Sequence, residues 1–241
     1  MPKNHYQMGY GWALGTSSCL DSRMTDRKGF VSAVLLAVLG LPGAAMAERD
    51  SGASHNLLVK APIDGDWFVI SRSNLAYRDD FDDFFLGFTG VGLGYQWTDE
   101  WSLRTGYRHV WFKPQDDWLE EDRLYTEAYY AKRFSQVRFT SRSRVEFRLF
   151  DYRDNDVRLR NEFVVESNKP LPGTALRPYA EEEFFYSTRD DRIEANWLGA
   201  GLAWRPAKGV KLKVGYRWNH FRVGDSWRDR DTLVTGINLF F

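Results

Sequence analysis

Leu233-Val234-Thr235-Gly236-Ile237-Asn238-Leu239-Phe240-Phe241 closes the chain, and its alternate positions Leu233, Ile237, Leu239 and Phe241 are apolar. A period of two marks a strand with one apolar face. A final aromatic on such a strand suits a sheet that closes on itself with that face turned to lipid, where every backbone polar group must be paired. The expectation is an all-β protein, an antiparallel transmembrane β-barrel of the bacterial cell outer membrane.

The opposite end agrees. Residues 30–47 (FVSAVLLAVLGLPGAAMA) form a short apolar run behind Arg27 and Lys28 and end in Ala45-Met46-Ala47, the small-x-small pattern of a signal-peptidase site. The run is short for the ~20 apolar residues of a spanning helix. Residues 1–47 are therefore read as a signal peptide. Met24-Thr25-Asp26-Arg27-Lys28 would alone make its basic start, which leaves residues 1–23 as an overhang upstream of the true start. Residues 48–65 are assigned to a periplasmic N-terminal segment and 66–241 to the barrel.

Composition narrows the class. The single cysteine, Cys19, lies in the removed segment, which excludes disulfides and Cys-based metal sites from the mature chain. The net charge of zero becomes −2, because the removed segment carries Lys3, Arg23, Arg27 and Lys28 against Asp21 and Asp26. That balance has no nucleic-acid signature. A mean hydropathy of −0.50 is compatible with a barrel, whose strands show lipid only every second residue.

Ten segments are long enough to cross: 66–78, 84–97, 101–112, 123–134, 137–149, 157–167, 177–187, 192–204, 210–222 and 231–241; twelve strands remain possible. An even count puts both ends of the barrel on the periplasmic side. The links on the other side are acidic: Asp79, Asp80, Asp82 and Asp83, then Asp116, Asp117, Glu120, Glu121 and Asp122, then Asp151, Asp154 and Asp156, then Asp190 and Asp191, then Asp225, Asp229 and Asp231. The periplasmic links are built from turn residues, as in Arg205-Pro206-Ala207-Lys208-Gly209. Aromatics mark strand ends, with Tyr95, Trp97, Trp101, Phe134 and Trp204 on one side and Tyr77, Trp111, Tyr152, Tyr186 and Trp218 on the other.

Strand parity assigns the lumen. A charge facing lipid at mid-depth costs ~2 to 4 kcal/mol, so the charged parity must point inward. That rule selects Arg72, Arg104, Arg108, Glu127, Arg138, Arg142, Arg144, Glu146, Arg148, Arg158, Arg160, Glu162, Glu166, Lys211, Lys213 and Arg217. Glu181-Glu182-Glu183 puts carboxylates on both faces and is assigned with Glu181 and Glu183 inward. In 192–204 the polar face of Arg192, Glu194 and Asn196 gives way to Leu198 and Leu202, which requires a bulge or a basic neighbour.

Two functions compete for this lumen. An excess of guanidinium over carboxylate leaves donors that could replace water around an anionic solute, the chemistry of anion-selective pores. Inward Gly90, Gly92, Gly94, Gly106 and Gly215 could leave room for it, or could house bulky arginines. Alternatively, Arg and Glu from neighbouring strands fill a narrow barrel as a hydrogen-bonded plug, and the acidic loops make a structural or adhesive surface. A third reading, a rim hydrolase acting on lipid or peptide, rests on His220 near Asp225 or Asp229, with no serine at a telling spacing. Asp151-x-x-Asp154-x-Asp156 lacks the glycine and distal glutamate of a calcium loop. No catalytic residue, metal or cofactor is assigned, and no enzyme is expected.

The succession Arg142-Ser143-Arg144-Val145-Glu146-Phe147-Arg148, Arg158-Leu159-Arg160-Asn161, Pro178-Tyr179, Glu181 to Phe185, Asp191-Arg192 and Gly215-Tyr216 resembles an uncharacterised family of outer-membrane barrels known as a domain of unknown function, over about residues 66–241. That resemblance implies barrel and location but no activity. More distantly the chain is similar to the small oligogalacturonate and sialic-acid channels, twelve-stranded monomers with basic lumens. The expected function is a narrow channel for small anionic solutes such as acidic saccharides. Expected partners are outer-membrane lipid and lipopolysaccharide, an anionic solute, and the barrel assembly machinery, which would read Phe241 on the final strand.

Overall fold

The computed structural model describes residues 50–241. The signal peptide, the Met24 start and Cys19 lie outside the described residues. Eleven strands follow one another: β1 (Asp50–Asp64), β2 (Trp67–Arg78), β3 (Asp83–Gln96), β4 (Trp101–Phe112), β5 (Leu119–Arg133), β6 (Val137–Phe150), β7 (Asp156–Ser167), β8 (Arg177–Ser187), β9 (Arg192–Trp204), β10 (Val210–Val223) and β11 (Ser226–Phe240). Each pairs with its sequence neighbours, and β1 meets β11 to close the barrel.

The first strand is a departure from the sequence reading, which placed residues 48–65 outside the barrel. Residues 50–64 instead pair with β2 on one side and β11 on the other. The alternation is blurred here because Leu57-Leu58-Val59 is apolar on both faces, and Pro62 argues against a strand interior. Pro62 is tolerated because the pairing with β11 ends at Lys60↔Phe240, so its missing N–H deprives no ladder on that side. The odd strand makes closure parallel, from Asp50↔Arg230 to Lys60↔Phe240. Asp50 and Phe241 therefore stand at opposite ends of the barrel, not at the same end.

The two ends differ chemically as the sequence implies. At the acidic end lie links 79–82, 113–118, 151–155, 188–191 and 224–225. At the Phe241 end lie links 65–66, 97–100, 134–136, 168–176 and 205–209. Two links are minimal hairpins, Gly65-Asp66 and Gly224-Asp225, whose glycines take φ of 53° and 63°. The tight turn that matches strand twist needs that left-handed backbone.

The β8–β9 pair contains the bulge its sequence demanded. Phe185 pairs with Ala195 but Tyr186 pairs with Ile193, so Glu194 is the extra residue. It turns inward to within 3.8 Å of Arg148 and Arg158. The wall is otherwise inverted relative to a water-soluble protein. Val91, Leu103, Leu124, Phe147, Leu159 and Ile237 are exposed outside, while the buried side chains include Arg104, Arg144, Glu121, Glu127 and Glu146.

The inward glycines hold aromatic rings. Gly92 pairs with Gly106, and Gly201 with Gly215. The Tyr125 hydroxyl seats over the first pair and the Tyr179 hydroxyl over the second. A Cβ on Gly106 would lie 2.6 Å from the Tyr125 oxygen and 2.5 Å from the Val91 carbonyl oxygen. Phe68 likewise covers Gly94. The glycines accommodate these rings, with Arg108 packed beside Gly90, rather than opening space.

Candidate functional site

Most of the lumen-directed residues meet in ionic clusters. Arg104, Arg108, Arg142, Arg144, Glu146, Arg148, Arg158, Arg160, Glu181 and Glu183 are buried. Arg72, Arg138, Glu162, Lys211, Lys213 and Arg217 are half-buried and line the same interior. The alternation of each strand puts them there, and the register decides which carboxylate each cation meets.

Four glutamates act as hubs. Glu127, 1% exposed, accepts from Arg104 at 3.1 Å, from Arg144 at 2.5 and 2.9 Å, and from Arg72 at 3.3 Å. Glu146, equally buried, accepts from Arg144 at 3.0 Å, Arg160 at 2.9 Å and Arg158 at 2.6 Å. Glu183 accepts from Arg142 at 3.0 Å and Arg160 at 2.7 Å. Glu121 holds Arg123 at 2.5 Å and Arg148 at 2.6 Å. Arg144 and Arg160 each join two hubs, so Glu127, Glu146 and Glu183 form one chain across β5, β6 and β8. Planar guanidinium forks suit such sharing, since each can serve two carboxylates in fixed directions.

A second cluster sits along β7, β8 and β10, beside Glu183. Glu181 accepts from Lys213 at 2.8 Å and Arg217 at 2.7 Å. Glu166 pairs with Lys211 and, at 2.5 Å, with Arg205.

Glu121 and Asp156 are departures from the sequence reading, which left both in external loops. Both strands begin earlier, and both carboxylates face inward, Asp156 lying 3.4 Å from Arg148. The signal was present: Glu121, Arg123, Tyr125 and Glu127 continue one parity, as do Asp156, Arg158 and Arg160. The three aspartates of Asp151-x-x-Asp154-x-Asp156 are consequently divided, because Asp154 pairs outside with Arg189.

Some cations are left over. Arg108 is buried yet makes no hydrogen bond among the described residues. Its nearest carboxylate, Glu146, is 3.7 Å away, and its guanidinium rests 4.1 Å from the Phe88 ring centre. Lys60 sits 3.6 Å over Phe68. Neither Lys60 nor Arg138 has an ion-pair partner among the described residues.

The network leaves a cavity of about 950 Å³ beside it. Its lining runs from Arg153, Arg192 and Arg230 at the acidic end to Lys60, Arg138 and Arg205 at the Phe241 end. The carboxylates in that lining are Glu162, Glu166, Glu181, Glu183 and Glu194, outnumbered by arginines and lysines. On the β1, β2 and β11 side the lining mixes Lys60, Arg72 and Arg230 with the uncharged Asn56, Asn74, Ile70, Thr232 and Asn238, and carries no carboxylate among the described residues.

Among the described residues three strand histidines are exposed or half-buried: His55 on β1, whose Nδ1 lies 2.8 Å from the Thr235 hydroxyl, and His109 and His220 near the acidic rim. His109 Nδ1 lies 2.7 Å from Asp122, and His220 Nδ1 lies 2.6 Å from Asp229, with His220 stacked on Trp218 and Trp227. Neither is hydrogen-bonded to a serine or threonine hydroxyl among the described residues.

One family, described as a protein of unknown function (DUF2490), matches residues 54–230. The chain belongs to the DUF2490 family. The match starts inside β1 and ends inside β11, so it takes in all four glutamate hubs of this DUF2490 barrel. No curated protein matches the chain.

Proposed function

We propose that this DUF2490 barrel resides in the bacterial outer membrane and that its lumen is a narrow conduit for small anionic solutes, acidic saccharides among them. The observation that carries the reading is the cavity itself, lined from one end of the barrel to the other and richer in cations than in carboxylates. Arg108, Lys60 and Arg138, which no carboxylate neutralises by hydrogen bond among the described residues, supply the field that attracts an anion, and the neutral amides of Asn56 and Asn74 share the lining with them. Side-chain donors in such a wall replace part of a solute's hydration shell.

The apolar outward wall supports the membrane placement, since burying its leucines, valines and phenylalanines in lipid removes them from water. In this placement the acidic links face outward, where divalent ions bridge them to lipopolysaccharide. The final strand is the surface offered to the assembly machinery. The role is passage or binding, not catalysis.

The ionic network favours a second reading, a plugged structural barrel, because its hubs hold most of the inward arginines. Single-channel conductance of refolded residues 48–241 in a planar bilayer, with reversal potential under a salt gradient, separates the two. The conduit reading expects stable anion-selective steps. A silent but folded barrel would replace it with the structural reading.

A further inference from the structure

Between its two rims the outward wall is apolar except for scattered hydroxyls, His55 hydrogen-bonded to Thr235 at 2.8 Å, and one polar row. Several of the hydroxyls are satisfied within the wall, as in Ser73 with Thr89 at 3.0 Å and Thr105 donating to the Tyr125 carbonyl at 3.0 Å. The row is different. Ser143 on β6, Asn161 on β7, Glu182 on β8 and Asn196 on β9 all point outward at mid-wall.

Their hydrogen bonds are incomplete in a particular way. Ser143 Oγ donates to Asn161 Oδ1 at 2.8 Å, and Asn196 Nδ2 donates to Glu182 Oε1 at 3.4 Å. That leaves the N–H groups of Asn161 without an acceptor and Glu182 Oε2 without a donor, among the described residues. Glu182 is exposed and stands between Phe163 and Leu198. Other outward carboxylates, Glu120, Asp122, Asp229 and Asp231, belong to the acidic rim. Glu182 is the one outward charge at mid-wall among the described residues.

Lipid offers this row nothing, because neither a carboxylate nor a free amide finds a partner among acyl chains. A second copy of the chain offers both missing groups. Copies inserted with the same sense are related by an axis along the barrel, and a two-fold interface repeats each contact reciprocally. Asn161 and Glu182 are diagonal neighbours, since Asn161 pairs with Phe184 and Phe163 with Glu182. An axis passing between β7 and β8 exchanges them, bringing the free donor of one copy to the free acceptor of the other. Beside the row runs an aromatic ridge, with Phe139 to Phe163 at 6.2 Å and Phe163 to Phe184 at 6.3 Å, which supplies the packing surface such a contact needs.

We propose that the β6–β9 wall is a homodimer interface, closed by reciprocal hydrogen bonds between Asn161 of one protomer and Glu182 of its partner. This rests on the membrane placement above and is independent of conduction.

The test begins with liposome flotation of the mature protein, then counts subunits in lipid nanodiscs by native mass spectrometry. Residues 48–241 contain no cysteine, so co-expressed N161C and E182C chains report the contact by disulfide formation between copies. Dimers are expected for the wild type and for E182Q, together with an N161C–E182C cross-link. E182L and N161L should each raise the dissociation constant at least tenfold. A wild type that floats but is monomeric overturns the interface while leaving the membrane placement intact, as does a dimer that E182L leaves unchanged. Failure to float removes the placement and the interface together. Should E182L fail to fold, the cysteine pair still decides.

Discussion

Arg144 holds Glu127 through two guanidinium nitrogens, Nη2 at 2.5 Å and Nε at 2.9 Å from the same carboxylate oxygen, while its third nitrogen reaches Glu146 at 3.0 Å. The two residues are register partners on β5 and β6, and Arg144 is 2% exposed. One side chain therefore neutralises parts of two buried carboxylates. The lumen's stability is a property of shared hubs, not of independent pairs, and single substitutions should have unequal consequences.

Glu146→Leu is expected to cost about 3–5 kcal/mol, the usual penalty for stranding buried charges by removing one partner. It leaves Arg158 with only the distant Glu194 and takes one contact each from Arg144 and Arg160. Arg108→Met should cost far less, because Arg108 makes no hydrogen bond among the described residues and no carboxylate is left without its hydrogen-bond partner, Arg108 resting instead on the Phe88 ring. Urea titration followed by heat-modifiable gel mobility measures both, and equal losses would contradict the hub arrangement.

Gly106→Ala should destabilise the barrel by about 1–3 kcal/mol, the range for overpacking a filled site. The new methyl group would press on both the Tyr125 hydroxyl and the rigid Val91 backbone. Tyr125→Ala alone should itself cost about 3–5 kcal/mol, but in that background Gly106→Ala should cost less than in the wild type, though not nothing, since the Val91 contact remains. Thermal melts of the three variants check this order.

Reversing Lys60 and Arg138 together to glutamate should shift the reversal potential toward cation preference without lowering the unfolding midpoint. Neither residue holds a carboxylate in place, so the substitution strands no partner. If selectivity stays put, these two side chains lie off the conducting path.

Deleting Phe241 should lower the yield of membrane-inserted barrel while leaving the stability of refolded protein within about 1 kcal/mol, the worth of a single hydrogen bond. Its ring is 80% exposed, and its described polar contact is the N–H donated to the Lys60 carbonyl at 3.0 Å. Unchanged membrane yield would remove Phe241 as an assembly signal.

The sequence was most legible where charge and parity coincide. Arg142, Arg144, Glu146 and Arg148 alternate with Ser143, Val145 and Phe147, and β6 follows that pattern without a break. Glu121 and Asp156 were hidden by their neighbours, because a run of acids reads as a solvated loop even when alternate members are turned inward. β1 was hidden by apolar residues on both faces. Partnership was less legible still: Arg72 reaches Glu127 from β2 to β5, a contact set by the curvature of the closed wall and not by spacing along either strand. The inward-facing parity holds more cations than carboxylates, but it cannot say that Arg108, Lys60 and Arg138 are among those left without a carboxylate hydrogen bond among the described residues.

Closure by an odd strand has a practical consequence for labelling. A handle joined ahead of Asp50 emerges beside the Asp-rich links, and one joined after Phe241 emerges beside the short turns, so with the proposed membrane placement the two tails would report on opposite compartments. Protease or antibody access to each would reveal the insertion sense of the barrel directly. Rejoining the tails to make a circular permutant would require a linker running the barrel's whole height, which an even-stranded wall would never demand.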